Sequence, residues 1–161
     1  MNNSIDKMQI SNLIRNEALN KFANQMNEWG IMMPAVEPLI MDFGLKEFYR
    51  VGLIEYWIAN EVEQGYCGKY LFLFDKQQCP FHSHNIKHET FFVVRGRIKM
   101  EVHNEEKMMN AGDVLVIPPG NLHSFTGIGN SLILELSTPC VVADNCFENS
   151  TTASWLRASI E

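Results

Sequence analysis

Two hydrophobic rhythms divide the chain. Leu13, Ile14, Ala18, Phe22, Met26 and Trp29 recur every three or four positions, with Asn, Lys and Glu between them. That is the period of one apolar helix face. Ser11 is placed to cap the start and Gly30 to stop the end, and Ser4 can cap a shorter turn before it. The pattern predicts a helix laid on the outside of the main body rather than one reserved for a partner. Beyond Pro34, Pro38 and Gly44 the rhythm shortens to β-rich runs at 49–58, 69–74, 90–94, 97–102, 114–117, 122–125 and 132–136. Turn-forming clusters such as Asn104-Glu105-Glu106 and Pro118-Pro119-Gly120 separate them. Many short strands with no helix between them predict an all-β antiparallel sandwich or barrel.

The chain is thus expected to be one domain: a helical segment over 1–33, a barrel over 34–147 and a tail over 148–161. The tail is rich in Ser and Thr and is either a short helix around Trp155 or loose. At 161 residues, 46% of them hydrophobic, the chain can bury a core without disulfides. A formal charge of −6 argues against a nucleic-acid partner, which calls for a basic face. No apolar run nears the roughly 18 residues of a membrane span, and 1–15 lack the basic-then-apolar order of a signal peptide. A cytoplasmic protein is expected. Cys67, Cys79, Cys140 and Cys146 are then free thiols, with a Cys140–Cys146 disulfide or a catalytic thiol as minor alternatives.

Chemistry concentrates in two stretches. On a strand, His82 and His84 point to one face, and a turn and neighbouring strand can return Glu89 to it. His123 joins from a distant segment. Three imidazoles and a carboxylate suit Mn, Fe, Zn, Co or Ni, with coordination positions left for water or substrate. His88 and His103 do not fit this set and are expected in solvent.

The spacing is specific. His82-x-His84 is followed after four residues by Glu89 and after six more by Gly96. Gly112 is followed after five residues by Pro118-x-Gly120 and after two more by His123. These residues closely resemble the two motifs of the cupin superfamily. Two positions depart from the pattern, Lys76 where the first motif often opens with Gly and Gly127 where the second often ends with Asn. The resemblance implies a double-stranded β-helix, the jelly-roll barrel, carrying a metal in its open mouth. It also implies a homodimer, for which the edge at 49–58 is a candidate pairing strand.

Further stretches are similar to the D-lyxose isomerase type of cupin. They are Glu28 to Pro34, Met41-Asp42-Phe43-Gly44-Leu45, Val51-Gly52-Leu53, Lys87, and Leu134-Glu135-Leu136-Ser137 with Asp144 and Phe147. That resemblance implies an aldose–ketose isomerase acting on a small sugar, with Mn as metal and catalytic residues matching Lys87 and Glu135. Alternation independently places Lys87 on the face of Glu89, and Glu135 with Ser131, Ile133 and Ser137 opposite the Leu132, Leu134 and Leu136 face. The pattern alone leaves Glu135 a choice between cavity and solvent, and Lys87 a choice between cavity and a solvated loop. Two other functions use the same ligands: an Fe(II) dioxygenase and a non-catalytic sugar-binding protein. Lys46, Arg50 and Lys69 are too dispersed to establish a phosphate site, although Arg50 and Lys69 can meet in space.

Overall fold

A computed structural model describes residues 8–160. Helix α1 (Asn12–Trp29) buries Ala18, Phe22 and Met26. The Phe22 ring stacks on Tyr56 at 5.1 Å and meets Phe72 edge-on at 5.0 Å. Gly30 ends the helix at φ 65°, where glycine carries no steric penalty. Ser11 stands at the start but makes no side-chain cap bond. Leu13 breaks the predicted stripe and is 83% exposed, because the packed face runs through Ile14, Ala18, Phe22 and Met26 and Leu13 lies one position, about 100°, off it. Ser4 lies outside the described residues.

Eleven strands follow among the described residues: β1 (Leu39–Met41), β2 (Leu53–Glu61), β3 (Tyr66–Leu73), β4 (Gln78–His84), β5 (Glu89–Arg95), β6 (Arg97–Val102), β7 (Glu105–Asn110), β8 (Val114–Ile117), β9 (His123–Gly127), β10 (Ser131–Ser137) and β11 (Asn145–Phe147). One sheet runs β1-β2-β3-β10-β5-β8 and the other β11-β4-β9-β6-β7. Strand neighbours within both sheets pair antiparallel. Leu71, Phe91, Val93, Met100, Phe125 and Ile133 fill the space between the sheets, and α1 covers the outside of the six-stranded one. The architecture is an all-β jelly roll with an N-terminal helix: the run of short strands predicts a sandwich or barrel, and the resemblance implies this form of it.

Three features differ from the sequence reading, and the structure decides a fourth that it left open, the form of the tail. Strand β7 runs through residues assigned in part to a turn, and only Met109 along it is buried. The run predicted to start at 49 begins at Leu53, because Glu47 to Arg50 form a turn. Its expected free edge is partly occupied, since β1 pairs with Leu53 to Glu55. The tail is a docked helix, α2 (Ser150–Ile160), with Leu156 buried and Trp155 edge-on to Phe43 at 6.0 Å. Asn149 caps it by accepting from the N–H groups of Thr151 and Thr152.

The first motif's opening glycine has a visible reason. Lys76 occupies that place at φ 62°, a left-handed conformation that disfavours a side chain. The turn is held by Lys76 N–H donating to the Gly127 carbonyl.

Candidate active site

Strand β4 alternates in burial, and His82 and His84 fall on its inward side. His123 opens β9 and stands directly across from His82, their rings 4.2 Å apart. The loop that delivers it is pinned by Gly120, whose N–H donates to the His84 carbonyl at 2.7 Å, and by Asn121, whose side-chain amide donates to Pro118. Glu89 opens β5 beside Ser137 of β10. All four side chains are buried. The three histidines each bring a ring nitrogen within 4.8 Å of the others.

Each imidazole is oriented from behind. Nδ1 of His82 lies 2.9 Å from the Pro80 carbonyl, Nδ1 of His123 2.9 Å from the Asn121 carbonyl, and Nδ1 of His84 3.3 Å from the Asp144 carbonyl. A carbonyl only accepts, so Nδ1 carries the proton and Nε2 presents its lone pair. Burial, then the neighbouring His123 and His84, hold His82 well below its ordinary pKa, which keeps it a neutral donor.

Nε2 of His84 and Nε2 of His123 face the Glu89 carboxylate at 3.4 and 3.2 Å. Such separations can signal an ion pair. Here both Nε2 atoms and Glu89 Oε2 lack any hydrogen-bond partner in good geometry. With the protons on Nδ1, these atoms all offer lone pairs to one another. Such an arrangement is costly when buried unless a cation lies among them. The donor set therefore fits a divalent metal ion. Burial works to raise the pKa of Glu89, and the Lys87 ammonium 2.7 Å away works to lower it.

A second polar group begins at Glu89 and is built differently. Lys87 Nζ lies 2.7 Å from Glu89 and 2.9 Å from Glu135. Lys69 Nζ lies 3.4 Å from the other oxygen of Glu135 and 3.2 Å from Glu55. The Trp57 indole N–H donates to the remaining oxygen of Glu55 at 2.6 Å. The side chains of the five charged residues alternate in sign, and each is less than a tenth exposed. Burial pushes Lys87 and Lys69 down. The carboxylates of Glu135 and Glu89 for Lys87, and of Glu135 and Glu55 for Lys69, outweigh it and hold both ammoniums above their ordinary range.

The sequence-predicted residues are thus brought together: His82, His84, Glu89 and His123 in one cluster, with Lys87 and Glu135 beside it. Lys87 faces inward although it lies in a loop and not on a strand. The Asp144 carboxylate causes this by accepting from the N–H groups of Asn85, Ile86 and Lys87. Glu135 takes the inward side of β10 with Ile133. His88 is exposed, and so is His103, which bonds to Asn121. Arg50 does not meet Lys69, because it pairs at the surface with Glu47 while Lys69 turns inward. Cys140 and Cys146 form no disulfide, and Cys140 is buried with its thiol pushed up to about 11 by burial.

Sequence reasoning missed Lys69, Glu55 and Asp144 as parts of the site. Strand parity offered a signal for Lys69, which shares the inward side of β3 with Cys67 and Leu71. The cavity that Lys69 and Glu55 line also has apolar walls that include Met41, Phe43, Leu53, Val142 and Phe147.

Residues 71–138 match the cupin domain family. No curated protein matches the sequence. Among solved structures, L-ribose isomerase from Cellulomonas parahominis superposes with a TM-score of 0.75, covering 93% of this chain and 97% of that one at 17% identity. L-ribose isomerase from Acinetobacter sp. DL28, in complex with L-ribose, gives 0.76 over 92% of this chain and 96% of that one at 14% identity. KdgF from Halomonas sp. gives 0.52, covering 55% of this chain and 80% of that one at 19% identity. At such identities the likeness shows a shared fold.

Proposed function

This fold is that of the cupins, with sugar isomerases among its structural neighbours, and we propose that the chain is a metal-dependent aldose–ketose isomerase acting on a small sugar such as D-lyxose or D-mannose. The observation that carries the reading is the juxtaposition of two groups. The buried lone pairs of His84, His123 and Glu89 beside His82 suit a cation, and a carboxylate–ammonium pair, Glu135 and Lys87, adjoins them. His82, His84, His123 and Glu89 would hold the ion, for which Mn is the first choice. When bound, a divalent ion supplies the Lewis acidity that polarises a sugar carbonyl and its neighbouring hydroxyl.

The rest of the chemistry belongs to the chain. Glu135 takes the proton from C2 of the open-chain sugar and returns it to C1, passing through an enediol. Lys87, held cationic between two carboxylates, stabilises and protonates the oxyanion that develops at O1 as the C2 proton leaves, and recovers a proton from the O2 hydroxyl as the ketose carbonyl forms. The buried strands around them exclude bulk water, which strengthens both interactions.

The test is a screen of aldoses and ketoses, including D-lyxose, D-mannose and L-ribose, with the Mn-supplemented protein in heavy water. The expected result is conversion with solvent deuterium appearing in the product. Glu135→Gln should lower kcat by about 10²–10⁴. Conversion without deuterium, together with full kcat in Glu135→Gln, would point to a hydride shift and remove the base role from Glu135. Oxygen uptake with Fe(II) and no isomerisation would indicate a dioxygenase instead.

A further inference from the structure

The catalytic proposal uses Glu89, Lys87 and Glu135 and leaves two of the five charged residues, Lys69 and Glu55, without a task. Lys69 faces Glu135 across the β3–β10 pairing, at the same register position. It holds the second carboxylate oxygen of Glu135 at 3.4 Å, while Lys87 and the Ser137 hydroxyl both hold the first. Lys69 is the only partner of that second oxygen among the described contacts. Behind it, Glu55 on β2 receives Lys69 on one oxygen and the Trp57 indole on the other.

A buried ion pair is a poor way to stabilise a barrel, because desolvation offsets most of the attraction and well-packed apolar residues do as well or better. The row crosses the inner face of a sheet whose neighbouring inward positions are Leu71, Phe91 and Ile133. Its orientation offers a reason for its presence. A glutamate's terminal torsion is soft and roughly two-fold. One anchored oxygen leaves the carboxylate free to swing, whereas two anchors on opposite sides fix which lone pair faces the cavity.

We infer that Lys69, seated on Glu55 and Trp57, is a positioning residue that fixes the plane of the Glu135 carboxylate. This rests on the proposed isomerase reading, in which Glu135 moves the proton. A general base must hold its geometry to within a fraction of an ångström, and a displacement of about 1 Å can cost roughly 100-fold in rate.

The test compares the full chain, supplemented with Mn, as wild type, Lys69→Arg and the double variant Lys69→Met/Glu55→Gln. The double change removes the pair together, so no carboxylate is stranded at position 55, and glutamine can still accept from Trp57. With melting temperature confirming the fold, the double variant should lose about 10–100-fold in kcat with KM within about twofold. Lys69→Arg should recover most of the loss. Crystal structures of wild type and double variant give a readout independent of turnover. Glu135 should keep its Lys87 contact but rotate its carboxylate when Lys69 is gone. An unchanged Glu135 conformation, or a kcat within twofold of wild type in the folded double variant, overturns the inference. An inactive wild type would instead sink the isomerase reading, and the crystallographic comparison would still decide the role of Lys69.

Discussion

The barrel interior holds two polar groups that touch at Glu89 and are satisfied in opposite ways. In the histidine cluster, Nε2 of His84, Nε2 of His123 and Oε2 of Glu89 are buried without partners. In the row from Lys87 to Glu55, every ammonium lies between two carboxylates and every carboxylate touches at least one ammonium. Both regions pay the desolvation penalty of burial, but only the row recovers it within the chain. The contrast separates their roles. A site whose donors are saturated is fixed in place, and a site whose donors all point lone pairs at one another is complete only when a cation enters.

That contrast makes opposite demands on two substitutions of similar size, and these carry the largest expected effects. His123→Leu should weaken Mn binding by more than the roughly 100-fold typical of losing an outer partner. It should change the stability of the metal-free protein by no more than about 1 kcal/mol, because losing the Nδ1 bond to the Asn121 carbonyl is offset by removing a buried lone pair that had no partner. Lys87→Met should do the reverse to stability, costing about 3–5 kcal/mol by stranding the buried Glu89 and leaving Glu135 only Lys69 as a charged partner. Urea unfolding with chelator present measures both. If His123→Leu proved the more damaging of the two in metal-free protein, the distinction between the groups would fail.

A smaller effect is expected where the groups are joined. The Asp144 carboxylate accepts from three consecutive backbone N–H groups, and its own carbonyl orients His84. Asp144→Ala should release the loop that aims Lys87 and cost about 1–3 kcal/mol. The backbone carbonyl that orients His84 stays in the variant, so metal binding should weaken by no more than about 10-fold, the lower end for losing an outer partner, as the released loop lets that carbonyl shift. Calorimetric titration with Mn and thermal melts check the two parts separately, and a variant that kept full metal affinity would show that the loop and the cluster are independent.

The smallest effect is on pH. His82 has a folded pKa depressed below the ordinary 6.5, first by burial and then by the other imidazoles. The unfolded chain therefore takes up a proton that the folded chain resists, and the proton favours unfolding. Metal-free protein should lose stability as pH falls below about 6.5, continuing toward the depressed value, and should be insensitive to this group above it. Denaturation midpoints at pH 7.5, 6.5 and 5.5 test the sign. A midpoint that rose on acidification would mean the imidazole is charged in the fold.

Much of this was readable before folding, because the relevant signals are periodic or closely spaced. Two-residue alternation sends His82 and His84 inward together, and the same parity on β10 sends Glu135 inward with Ile133. The spacing of Gly120 and His123 reflects a loop whose glycine N–H meets the His84 carbonyl. Other elements left no such mark. Strand β7 lies at the edge of its sheet and reads Glu-Glu-Lys-Met-Met-Asn, so its pairing with β6 is invisible to hydrophobic patterning. Strands β1 and β11 are three residues each, too short to show a period. Lys69 and Glu55 were hidden for another reason. A charged residue on an inward position looks like an exception until its partner on the next strand is known, and pairing across strands is a property of register.

The central claim is that the buried imidazoles and Glu89 close around a cation. Its most direct measurement is a crystal structure with anomalous diffraction, collected on full-length protein purified without chelator and supplemented with Mn, alongside elemental analysis of the same preparation. One ion per chain is predicted, with anomalous density bounded by the Nε2 atoms of His82, His84 and His123 and by the Glu89 carboxylate. A chain that excludes metal under those conditions, with the same imidazoles bonded to protein or water, would contradict the account.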